Sequence, residues 1–169
     1  MSFTGREHME YFAIIGAGTN DEPGPNGPAL TTEQMNSVKS YYRAMVSGAR
    51  AGYICWGPPD RGYKERAGTF KGDFIRHMED WLRDEFGANF VDVRGYLSSA
   101  QALADAAILQ PGFVPAVSDD PQFDDAASIA AGTIPPSFRF SGVHFNALGH
   151  ALVAHLFATH LRKRFGYRR

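Results

Sequence analysis

The sequence predicts an α/β domain built on a parallel sheet. Three observations predict it. Short apolar runs suited to buried strands recur at Tyr11–Ile15, Ala51–Trp56 and Asn89–Val93. Longer stretches between and after them carry apolar residues at helical spacing. The first two runs stop at glycine or proline, as a strand does where it turns into a crossover. Strand, helix, strand, helix, strand, helix in that order implies right-handed crossovers in one domain spanning residues 1–169, and no internal repeat interrupts it.

Residues 1–10 are short and polar and carry no strand of their own. Tyr11–Ile15 reads as a strand buried on both faces, closed by Gly16. It passes into Gly18-Thr19-Asn20-Asp21, a polar turn at the strand's carboxyl end, where open α/β sheets bind ligands. An amide held there, as at Asn20, can donate to a developing oxyanion. Equally, Asn20 and Asp21 are residues that cap loops. The Pro- and Gly-rich stretch Asp21–Ala29 is a candidate crevice wall. Thr31 and Gln34 have capping-box spacing and start a helix to about Arg50, with Met35, Val38, Tyr42, Met45 and Val46 on its apolar face.

The second strand ends at Gly57-Pro58-Pro59. Thr69 caps a helix through about Phe86, stopped by Gly87, whose stripe of Phe70, Phe74, Ile75, Met78, Trp81, Leu82 and Phe86 places Trp81 in the core. A third strand, Asn89–Val93, precedes an alanine-rich helix over 97–109. Gln110–Phe140 is a long segment of the kind that is functional or mobile. Asn146 caps a last helix to about Phe165, with Leu148, Leu152, Val153, Leu156 and Phe157 facing the core.

Composition excludes several classes. With 169 residues, 44% hydrophobic and 21% charged, the chain is globular. A net charge of -1 gives no reason to expect nucleic acid as a partner. The basic tail from Arg162 suits a helix C-terminus. Cys55, the single cysteine, has no partner for an internal disulfide and reads as a small buried hydrophobe. No apolar run is long enough to span a membrane, and no signal peptide is legible, so the expected setting is the cytoplasm or a larger assembly.

The chain has six histidines. His150, His155 and His160 recur every five residues, which does not put them on one helix face, so no metal site is expected. His8 and His77 stand among charged residues. His144 differs. It lies in a short loop just before a helix, where a neutral imidazole can act as general base, or can simply bond backbone.

Two blocks now combine. Gly18-Thr19-Asn20-Asp21 after a buried strand, and Ser141-Gly142-Val143-His144-Phe145-Asn146 with Gly149 opening the last helix, resemble the third and last blocks of the SGNH (GDSL-like) hydrolase family. The resemblance covers residues 11 to 165. It implies a flavodoxin-like, three-layer α/β/α sandwich and hydrolysis of acyl or acetyl esters on lipids or carbohydrates, with no cofactor. Asn20 then matches the oxyanion asparagine, flanked by Gly18 and Asp21, and His144 matches the base. The chain departs from the family in two ways. Position 141 is Ser where the family has Asp, and no Gly-Asp-Ser nucleophile block lies upstream of Gly18.

Relative to the family the domain is therefore N-terminally short and lacks the sheet's first strands. Strand 11–16 would then be an exposed apolar edge, which predicts a longer product, a homo-oligomer or a partner chain covering it. Two functions follow: an ester hydrolase or a portion of one, and a non-catalytic binding or structural module that holds a small-molecule ester or saccharide. Ligand contacts are expected from residues 22–30, 57–68 and 111–140. No Gly-x-Gly-x-x-Gly turn opens a helix, which disfavours a nucleotide site.

Overall fold

The computed structural model describes residues 12–16, 32–49, 52–142 and 144–166. Two strands, β1 (Phe12–Gly16) and β2 (Gly52–Trp56), pair in parallel, with Ile14 opposite Ile54 and Gly16 opposite Trp56. The helix α1 (Thr32–Ser47) makes the crossover between them. The α/β reading with a parallel sheet therefore holds for the described residues, over two strands.

Alternation along β2 explains the layering. Successive strand residues point to opposite faces. Ile54 enters one core cluster with Leu97, Phe138, Leu148 and Leu152. Cys55 enters a second, with Ile15, Val38, Tyr42, Ile75 and Leu82. Helices α1 and α2 (Phe70–Phe86) thus cover one face of the sheet, and α6 (Ala147–Phe165) covers the other. Each fully buried Leu or Ile in these clusters contributes about 1.5–3 kcal/mol. Tyr42 is fully buried, and its hydroxyl donates to the Trp56 carbonyl at 2.8 Å, which fixes the end of β2. Gly16 must be glycine because a Cβ there would sit 2.1 Å from Trp56 Nε1.

Capping chemistry sets the helix ends as expected. Thr69 Oγ1 accepts from Gly72 N–H, and Gly87 with φ 51° ends α2. Trp81 packs among Tyr42 and Phe86 in the second cluster, as its spacing predicts. Val38 and Tyr42 are the buried residues of α1, while Met45 is exposed.

Four expectations need correction. Asn89–Val93 is not a strand. It makes one parallel bridge, Phe90 to Cys55, with Val91 N–H donating to Cys55 O. Asp92 then accepts from Gly95 N–H and starts α3 (Val93–Leu97). The helix expected over 97–109 forms as α4 (Ala100–Leu109), three residues later than expected, because Leu97 ends α3 and Ser99 caps α4. The long segment 110–140 is not structureless: Asp124 caps α5 (Asp125–Ala130), and buried Asp125 accepts from Ala116 and Ser137 N–H. The expected burial of the first strand on both faces also fails at Ile14, which is 54% exposed, because no strand among the described residues pairs with the outer edge of β1. No helix among the described residues is long and apolar enough to cross a membrane.

Candidate functional site

Because β1 and β2 are parallel, both end at the same edge of the sheet. Beyond β2 the chain turns through Pro58 and Pro59 to Asp60, which is 2% exposed. Its carboxylate accepts Gly62 N–H at 2.7 Å, and both oxygens accept Ile134 N–H, at 3.0 and 3.2 Å. Burial pushes the Asp60 carboxyl up to about 6; those N–H donors and the charges of Arg94 and Arg139 pull the other way. Asp60 therefore ties the loop after β2 to a segment 74 residues later in the chain.

A second set of buried charges braces the same join. Arg94 of α3 forks onto Glu79 of α2, donating Nε to both carboxylate oxygens at 2.7 and 2.9 Å and Nη2 to Oε2. Its Nη1 donates to Gly132 O at 2.7 Å, and Arg76 reaches that carbonyl at 3.3 Å. Burial works against the charge on Arg94, and the Glu79 carboxylate more than offsets it, raising the arginine's pKa. Arg139 Nη1 donates to Arg61 O at 2.6 Å and Nε to Pro135 O at 3.4 Å. Gly62, at φ 88°, lets that guanidinium approach; a Cβ there would lie 2.2 Å from Nη2.

Arg139 opens the segment that carries the predicted residues. It bridges antiparallel to Phe145, and Phe140 N–H donates to His144 O at 2.9 Å. This tight turn brings Ser141 Oγ within 3.0 Å of His144 Nδ1, with both side chains exposed. Asn146 locks the turn to α6. Its Oδ1 accepts Gly149 N–H at 2.9 Å, and its Nδ2 donates to Ser137 O at 2.7 Å. Gly149 has to be glycine, since a Cβ there would meet Phe138 O at 2.2 Å.

Beside this turn is a cleft of about 730 Å³, lined by Arg61, Tyr63, Lys64, Glu65, Thr69, Phe70, Lys71, Gln122, Phe123, Pro136, Arg139, Phe140, Ser141 and Gly142. That volume suits a small ligand. Residues 61–65 and 122–140 belong to two of the three segments expected to contact one. Buried Glu65 accepts Arg61 N–H at 2.7 Å and ion-pairs with Lys71 at 3.5 Å, fixing the cleft floor.

The structure thus brings Ser141 and His144 together. Gly18, Asn20 and Asp21 lie outside the described residues, as does Val143. Among the described residues no group of three or more His, Cys, Asp and Glu is arranged to hold a metal ion. His160 bonds Ala88 O at 3.1 Å, and His150 meets Phe145 edge-on at 5.7 Å. Sequence reasoning missed Asp60, Arg94 and Arg139. A signal for the first was present: Asp followed by Gly two residues on, after Pro-Pro, is the spacing of an Asx turn. Compared with protein-family models, curated proteins and solved structures, the chain matches none.

Proposed function

We propose that this chain is an ester hydrolase of SGNH type, or a portion of one, working on acyl or acetyl esters of lipids or carbohydrates. The observation that carries the reading is the Ser141 Oγ–His144 Nδ1 contact of 3.0 Å, in which Ser141 lines a ligand-sized cleft. With the proton on Nδ1 donated to Ser141, His144 Nε2 keeps its lone pair and takes the proton from an attacking hydroxyl. It then returns that proton to the leaving alcohol. Asn20 supplies an oxyanion donor by resemblance. It follows Gly16 by four residues, a chain reach of roughly 14 Å from the shared edge of the two strands. The attacking hydroxyl comes from outside the described residues or from another chain, because among the described residues Ser141 is the hydroxyl bonded to His144. The finer fold in this reading is the flavodoxin-like three-layer sandwich, supported by the parallel register and by helices on both faces of the sheet.

A specific observation favours a second reading, a non-catalytic module that holds a small ester or saccharide. Ser141 stands where a carboxylate would stabilise imidazolium, and a neutral hydroxyl provides no such charge. Hydrolysis of p-nitrophenyl acetate and butyrate separates the two. Turnover that falls by about a hundredfold or more in both His144→Ala and Asn20→Ala supports the hydrolase. Turnover equal in wild type and variants refutes it.

A further inference from the structure

We propose that the cleft beside Ser141 is built for a ligand that carries an anionic oxygen group, a phosphate or a carboxylate, held by Arg139 and Lys64. Arg139 is half-buried, and its described hydrogen bonds go to two neutral carbonyls, Arg61 O and Pro135 O. Those bonds use two of a guanidinium's five donors. Among the described residues no carboxylate stands within ion-pair distance of it, although taking a guanidinium out of water is costly unless an anion meets it. Burial lowers its pKa, and the more distant carboxylates of Asp60, Glu65 and Asp125 offset this only in part.

Lys64 is exposed on the same cleft wall. The first turn of α2 borders the cleft as well, through Thr69 and Phe70, with its start capped by Thr69 Oγ1 and the Asp73 carboxylate. Glu65 is the carboxylate among the described lining residues, and it is buried and paired to Lys71. The exposed rings of Phe123 and Phe140 give the rest of the ligand an apolar surface to lie on. The ligand class is therefore a ring or acyl body bearing one anionic group. On the ester-hydrolase reading, this places the anion of the substrate near the Ser141–His144 turn, since Arg139 is two residues from Ser141. Anion binding itself does not depend on that reading.

The test is a shift titration of the full chain, followed by amide NMR, with phenyl phosphate and with phenol as the neutral comparison. The expected result is at least about tenfold tighter binding of phenyl phosphate. Lys64→Glu weakens phenyl phosphate several-fold without changing phenol, and Arg139→Gln removes most of the preference. Lys64→Glu decides the matter should Arg139→Gln not fold, because Lys64 is on the surface. Equal affinity for the two probes, or unchanged phosphate binding in Lys64→Glu, overturns the proposal. Phenyl phosphate binding without any p-nitrophenyl ester turnover leaves the anion site standing and removes the hydrolase reading. Turnover without phosphate binding does the reverse.

Discussion

Replacing Asp60 with alanine tests the join on which the candidate site rests. The carboxylate is 2% exposed and is the acceptor for Gly62 and Ile134 N–H. Alanine leaves both donors buried without a partner, at about 1–3 kcal/mol each, so a loss of about 4 kcal/mol is expected. That is a large part of a domain stability of about 5–15 kcal/mol. Urea unfolding followed by tryptophan fluorescence measures it. The pH dependence gives a second reading from the same residue. Burial raises the Asp60 carboxyl from 3.8 to about 6 in the folded chain. Between those values the folded chain holds a proton that the unfolded chain has released. The stability this contributes is complete below 3.8 and is lost as pH rises through about 6. Two pKa units correspond to about 3 kcal/mol. Asp60→Asn therefore flattens the fall in stability between those pH values. A loss below about 1 kcal/mol in Asp60→Ala, or an unchanged pH slope in Asp60→Asn, refutes the tether.

Further outcomes follow from the same geometry. Ser141→Asp puts a carboxylate on His144 Nδ1, so kcat on p-nitrophenyl acetate rises about tenfold on the hydrolase reading; a fall counts against Nδ1 as the orienting contact. Gly149→Ala drives a Cβ to 2.2 Å from Phe138 O, the carbonyl that accepts Asn146 N–H. It destabilises by about 1–3 kcal/mol, read from the urea midpoint, and loosens the turn. Burial pushes the Cys55 thiol up to about 12, so a disulfide reagent at neutral pH labels it only after unfolding.

The elements read most directly from the sequence are those whose signals are local. Thr69 and Gly87 bound α2, Asn146 caps α6, and the apolar runs locate β1 and β2. Asn89–Val93 misled because it has a strand's apolar content, while Asp92 within it has a side chain able to accept from Gly95 N–H and turn the chain into a helix. Ser99 sets the start of the next helix by the same competition. Of the candidate site, the Ser141–His144 turn was legible from one compact block. The charges that hold it were not. Arg94 meets Glu79 across 15 residues and Arg139 meets Arg61 across 78, and no periodicity encodes such pairings. The cleft was legible only as segments, since its walls meet when Asp60 ties Ile134 to the loop after β2.

The most direct test of the account is labelling with a fluorophosphonate probe, followed by peptide mapping. The probe bonds covalently to a serine only when a base has activated its hydroxyl. One labelled hydroxyl is expected, on this chain or on a chain that completes the site, with labelling abolished in His144→Ala. Labelling that persists without His144, or no labelled hydroxyl on this chain or on one bound to it, contradicts a hydrolytic centre at the Ser141–His144 turn.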